Sequence, residues 1–208
     1  MGVQKCSGDV TVVCFFYLRE EIVMIIGVTA HEIIVSECVA EGIDYEEMYL
    51  VIRELLIKFN DGKAFAKRMG LKWINNMSKK IPYRTKFLQI VEKPWNYSKK
   101  EKKSFAWKVA CEKWYGDKSC LVLEQMKDFV EGGDVLAYII DSVYMKGKNT
   151  KKSDDSMQIE LYMGRTKYFA VKKDAIVLYG LLIWKYCKRR DQEDKAKGII
   201  DENGELIA

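Results

Sequence analysis

The stretch VTVVCFFYLREEIVMIIGVTAHEIIVSECV, residues 10–39, decides the predicted fold. It contains three short runs rich in Val, Ile and Phe, at Val10–Tyr17, Ile22–Val28 and Glu32–Val39. Such residues are enriched in strands. The connectors between the runs are only a few residues long, and connectors that short join antiparallel neighbours. We therefore predict an N-terminal antiparallel β-meander.

An amphipathic helix is predicted directly after the meander. Asp44 followed by Glu47 approximates a capping box, which marks a helix start. The apolar residues that follow fall on one face at helical spacing: Met48, Ile52, Leu55, Leu56 and Phe59. The turn-forming sequence Asn60-Asp61-Gly62 predicts the end of this helix.

The middle of the chain is predicted to be helical with breaks. Two short helices are expected at Lys63–Met69 and Leu71–Lys80, the second closed by Pro82 because the residue before a proline avoids helical dihedral angles. Ser98-x-x-Glu101 is a capping box that opens a helix to about Tyr115. Two more helices are predicted, hinged at Gly132-Gly133: Cys120–Glu131 and Asp134–Met145.

The C-terminal third predicts a β-hairpin and a last helix. Four apolar residues alternate with polar neighbours, which is typical of a strand: Met157, Ile159, Leu161 and Met163. Gly164-Arg165-Thr166 would turn this strand back into Tyr168–Val171. Asp174 would cap a final apolar helix that ends at Lys188-Arg189-Arg190.

These elements together predict the α+β class. We expect a single domain over residues 1–190 and a solvated tail over residues 191–208. Glu202-Asn203-Gly204 carries the turn signal of a small terminal hairpin within that tail.

The charge of the chain is strongly segregated. Residues 1–62 contain 4 Lys/Arg against 11 Asp/Glu, residues 63–118 contain 16 against 4, and residues 119–208 contain 15 of each. The net charge of +5 therefore hides a surplus of 12 positive charges in the central segment. Grouped charge of one sign attracts polyanions locally.

The composition predicts a cytoplasmic protein. The six cysteines form no C-x-x-C pair, so we interpret them as reduced thiols. Residues 1–9 lack a secretory signal pattern. The most apolar segment, Ala175–Trp184, is about ten residues long, well short of the roughly 20 that a membrane helix needs. No membrane association is expected.

The basic segment predicts a nucleic-acid-binding surface, because lysines neutralise phosphates and aromatic rings stack on bases. The predicted contacts are Lys72, Trp73, Asn75, Asn76, Lys79, Lys80, Arg84, Lys86, Lys99, Lys100, Lys102 and Lys103. A helix-turn-helix is one form it could take, with Leu71–Lys80 as the recognition helix. That match falters because Asn76 stands where an apolar packing residue belongs. Trp107 and Trp114 share one stripe, and we assign them to the core.

Enzymatic signals in the sequence are weak, and no catalytic residue, metal or cofactor is predicted. The chain has neither a G-x-x-x-x-G-K-[ST] nor a G-x-G-x-x-G motif. His31 is the single histidine, which excludes zinc sites built on two histidines. It could pair with Cys14 or Cys38, but both lie among apolar residues, where a thiol is usually inert. We interpret His31 as a turn residue.

Two alternatives to nucleic-acid binding stay open. The acidic first 62 residues and the basic segment could serve a protein–protein adaptor or inhibitor, or could pair between copies of the chain. A metal-dependent nuclease would use the carboxylates of residues 124–141, where Glu124, Asp128 and Glu131 share a predicted helix face. We interpret those carboxylates as a solvated face.

Overall fold

The computed structural model describes residues 30–69, 81–147 and 149–207, without the side chains of residues 66 and 69. Regular structure within these ranges is helical, apart from one isolated antiparallel bridge between Ile200 and Leu206. A 3-10 turn covers Pro94–Asn96 and a π-helical turn covers Asp141–Met145. The helices are α1 (residues 30–40), α2 (Tyr45–Met69), α3 (Tyr83–Glu92), α4 (Lys99–Ala110), α5 (Lys113–Phe129), α6 (Gly133–Ile140), α7 (Asp154–Glu160) and α8 (Arg165–Ala196).

The predicted α+β class is wrong, because the described part of the chain is helical. The third predicted strand, Glu32–Val39, lies within α1. Ala30, Ile34 and Cys38 are buried at intervals of four residues, which is the period of a helix face. The β-branched residues between them suggested a strand but largely cover the outer face. The other two predicted strands, Val10–Tyr17 and Ile22–Val28, lie outside the described residues.

The predicted hairpin is also wrong. The first proposed strand, residues 157–163, coincides with α7 and the turn after it, and Ser153 caps α7 through its side chain. Tyr168 and Val171 are three residues apart and both buried, as on a helix face, and they belong to α8. Gly164 precedes α8 as its N-cap instead of turning a hairpin. A four-residue alternation is too short to separate a strand from two helical turns.

Helix α8 forms the centre of the fold. Every residue from Asp174 to Trp184 is buried, although an exposed helix normally buries only one stripe. Helices α2, α3, α5 and α6 all contact α8. The helix continues past its predicted end at Arg190 to Ala196. No helix in the described ranges has a stretch long and apolar enough to cross a membrane.

Helix α2 approaches α8 at Gly180. A Cβ atom at that glycine would lie 2.4 Å from Cγ1 of Ile52 and 2.8 Å from Sδ of Met48. Both of these residues are buried. The missing side chain therefore sets how closely the two longest helices pack.

Helix α2 runs straight through Asn60-Asp61-Gly62, where the sequence predicted its end. The side-chain amide of Asn60 donates hydrogen bonds of 2.7 and 3.0 Å to the carbonyls of Tyr144 and Lys146. A Cβ at Gly62 would lie 2.6 Å from the backbone of Ala110 in α4. Tertiary contacts therefore stabilise a helix across residues that locally disfavour it.

Some of the other predicted helix boundaries are confirmed and others are wrong. The capping box of Ser98 and Glu101 is present and opens α4. Helix α4 ends at Ala110, before its predicted end near Tyr115, and α5 then runs from Lys113 through Gly116. Gly132 adopts a φ of 76°, and the chain changes direction there between α5 and α6 as predicted.

Replacing Gly62 with alanine should destabilise the protein by about 1–3 kcal/mol, because the added methyl group would force α4 away from α2. Thermal unfolding should shift downward by roughly 2–4 °C for each kcal/mol.

Gly116→Ala is the matched control, since a Cβ there meets nothing within 4 Å. It should stabilise the protein by about 0.5–1 kcal/mol, the usual gain of alanine over glycine in a helix. Equal shifts of the two variants in the same direction would contradict the close approach of α2 and α4.

Candidate functional site

Half of the predicted nucleic-acid contacts lie outside the described residues. The same holds for the predicted recognition helix Leu71–Lys80, so the helix-turn-helix interpretation stays a prediction. The contacts concerned are Lys72, Trp73, Asn75, Asn76, Lys79 and Lys80.

Two of the lysines predicted to contact nucleic acid form ion pairs between helices of the chain. The Lys102 ammonium lies 2.7 Å from a carboxylate oxygen of Glu47, and only 17% of its side chain is exposed. The Lys103 ammonium lies 3.8 Å from a carboxylate oxygen of Glu54. Both pairs connect α4 with α2. Part of the positive charge of α4 therefore pairs with carboxylates of α2, and these two lysines are less available to a partner.

The two predicted contacts on α3 also differ in availability. Arg84 Nη2 donates a 2.8 Å hydrogen bond to Asp194 Oδ2, which fastens α3 to the end of α8. Lys86 is partly buried. Hydrogen bonds from Ser98 lower the pKa of Glu101, and the positive charge of Lys86 adds to that effect.

The remaining predicted contacts, Lys99 and Lys100, are exposed on the first turn of α4. Neither forms an ion pair with any residue in the described ranges. Lys108 lies two turns after Lys100 on the same exposed face, about 12 Å along the helix. Trp95, on the 3-10 turn just before α4, is 75% exposed. We call Trp95, Lys99, Lys100 and Lys108 the α4 surface.

Helix stability does not explain the lysines at the start of α4. The N-terminus of a helix carries partial positive charge, so a cation in the first turn costs about 0.3–1 kcal/mol. Lys99 and Lys100 occupy the first two positions of α4, and the sole acidic residue of that turn is Glu101. A partner that brings negative charge would offset this cost.

The aromatic side chains of the basic segment divide into interior and exposed groups. Trp107 is partly buried and its ring centroid lies 5.7 Å from that of Phe65. Trp114 is also partly buried and stacks on Tyr186 at 5.9 Å. Among the described tryptophans, Trp95 alone presents most of its ring to solvent.

The interpretation of His31 as a turn residue is wrong, because His31 belongs to α1. Its Nδ1 lies 2.7 Å from Oδ1 of Asp174. The hydroxyl of Tyr45 donates a 2.5 Å hydrogen bond to the same oxygen. The sequence had suggested Asp174 only as a helix cap, yet it lies inside α8 and is 5% exposed. His31 and Asp174 are 143 residues apart, and no local motif connects them.

The cysteine partner considered for His31 is unsuited to nucleophilic chemistry. Cys38 is 1% exposed, and burial raises the pKa of its thiol to about 11. A thiol with so high a pKa is almost entirely protonated at neutral pH. Cys14 lies outside the described residues.

The carboxylates proposed for a nuclease do not converge. Glu124 forms an ion pair with Lys127 at 2.7 Å, and Asp128 and Glu131 are exposed. Glu131 lies beyond the end of α5. Throughout the described ranges, no three His, Cys, Asp or Glu side chains are grouped closely enough to hold a metal ion.

Comparison with known proteins identifies no relative. No protein-family model matches the chain, and neither does any curated protein or any solved structure.

Proposed function

We propose that this protein binds nucleic acid through the α4 surface and prefers single strands. The observation that carries the proposal is the exposed indole of Trp95, which precedes Lys99 and Lys100 by four and five residues, together with the absence of an ion pair between either lysine and any described residue. These groups belong to two consecutive elements of the chain, the 3-10 turn and the first turn of α4.

The preference for single strands follows from the position of Trp95. A base in a duplex is stacked on its neighbours, whereas a base in a single strand can stack on an aromatic side chain. Such stacking contributes about 1–3 kcal/mol for each base. An indole that is 75% exposed has room for a base against its face.

The cations of the α4 surface would contact the phosphate backbone. Lys99 and Lys100 follow the 3-10 turn, and Lys108 extends the positive charge along the helix. Neutralising phosphates releases condensed counterions, so the affinity should fall steeply as the salt concentration rises. Affinity for a protein partner would not depend on the number of phosphates in an added polyanion. This difference distinguishes the adaptor alternative from nucleic-acid binding.

Trp95→Ala should weaken binding of a short fluorescein-labelled single-stranded oligonucleotide by roughly 5- to 150-fold, which corresponds to the loss of one stacking contact. Fluorescence anisotropy at low salt measures this change. The control is Ile159→Ala, because Ile159 is 76% exposed on a different helix and its loss should leave the affinity unchanged.

Absence of binding by the unaltered protein at low salt would contradict the proposed function. Tight binding that Trp95→Ala does not weaken would exclude the α4 surface as the stacking site.

Lys100→Ala should reduce the slope of log affinity against log salt by about 0.7, the contribution of one contact to a single strand. Lys197→Ala removes one exposed positive charge from the turn after α8 and is the matched control. Titrations at four or more salt concentrations give both slopes. Identical slopes for the two variants would show that Lys100 contacts no phosphate.

A further inference from the structure

A cleft separate from the α4 surface lies between α1, the start of α2 and the first half of α8. Its volume is about 790 Å³, which is large enough for a small organic molecule. Val35, Ala170 and Val171 give it an apolar wall. His31 and Asp174 line it as well.

The hydrogen bond to Asp174 determines which ring nitrogen of His31 carries a hydrogen. An ionised carboxylate only accepts hydrogen bonds, so Nδ1 of His31 must carry the proton that it shares with Asp174. Burial, followed by the hydrogen bond to Asp174, raises the pKa of Tyr45, so its hydroxyl stays protonated and donates as well. In the neutral ring, Nε2 of His31 then holds a lone pair and accepts hydrogen bonds.

The ring of His31 is held in place but remains accessible. Its centroid lies 5.6 Å from that of Tyr45, edge to face. About half of its side chain, 51%, is exposed, whereas the Asp174 side chain is 7% exposed. A buried carboxylate thus orients a half-exposed imidazole at the wall of a cleft. Nε2 has no hydrogen-bond partner among the described residues.

The donors that line the cleft are already engaged. The Lys173 ammonium forms an ion pair with Glu46 and lies 5.1 Å from the centre of the Tyr45 ring. Lys167, the other lysine in the lining, is not without a partner either. The acceptors are less occupied: Glu32 is exposed and forms no ion pair within the described part of the chain.

We propose that this cleft binds small amphipathic amines, with the ammonium group at Glu32 and Nε2 of His31 and the apolar body against Val35, Ala170 and Val171. Four carboxylate side chains and two lysines line the cleft, so such a ligand adds hydrogen-bond donors and positive charge where acceptors predominate. A carboxylate or phosphate ligand would instead meet acceptors and negative charge. The site is therefore opposite in charge preference to the α4 surface and does not depend on it.

Three ligands with the same six-carbon chain test the proposal: hexylammonium, hexanol and hexanoate. Because His31 is the single histidine, its imidazole C–H signals in the proton NMR spectrum report on the cleft without ambiguity. Hexylammonium should shift these signals saturably, hexanol should bind more weakly, and hexanoate should leave them unchanged. No shift with hexylammonium, or an equal shift with hexanoate, would overturn the proposal.

Two variants locate the binding residues, with calorimetry measuring hexylammonium affinity. Glu32→Gln should weaken binding about two- to fivefold, as expected for loss of an exposed ion pair. His31→Phe keeps an aromatic ring but removes the acceptor and should weaken binding about two- to tenfold. Glu202→Gln removes an exposed carboxylate from the tail and should bind as the unaltered protein does. Unchanged affinity in both cleft variants would overturn the assignment of the ammonium position.

Discussion

The fold depends on the burial of α8 on all sides. Eleven consecutive residues from Asp174 to Trp184 have no solvent-facing side, so other helices must surround them before the chain is stable. Gly180 is the position where this packing is closest, because α2 fills the space that a side chain would occupy. Asp174 lies at the start of the buried stretch. A buried carboxyl group is costly without hydrogen-bond partners, and His31 and Tyr45 are its partners. The central helix thus also builds the cleft.

Charge segregation in the sequence has two structural uses. Basic α4 packs beside α2, where Lys102 and Lys103 form ion pairs with Glu47 and Glu54. The cations left over lie at the start and on the outer face of α4, next to the exposed Trp95. The other surface with unmet hydrogen-bonding capacity, the cleft at His31, is rich in acceptors. The two proposals therefore assign polyanions to the α4 surface and small cations to the cleft.

The sequence predicted a local feature correctly where a short motif is specific, but it did not predict the helical class or the tertiary pairings. The capping box at Ser98 was identified because its signal is contained in four residues. The strand at residues 32–39 and the hairpin were mispredicted because short apolar runs fit both a strand and a few turns of helix. The pairing of His31 with Asp174 could not be predicted, since nothing in either local sequence refers to the other. The pairing of Lys102 with Glu47 could not be predicted for the same reason. This pairing leaves fewer lysines of α4 available to bind nucleic acid.

The most direct test of nucleic-acid binding at the α4 surface is a nitrogen-15 NMR titration of the five tryptophan indole N–H groups with a short single-stranded oligonucleotide. The account predicts that the Trp95 signal shifts or broadens early in the titration. Trp184, which is 1% exposed in the centre of the fold, should keep its position. Binding that leaves the Trp95 signal unchanged, or no change in any indole signal at low salt, would contradict the account.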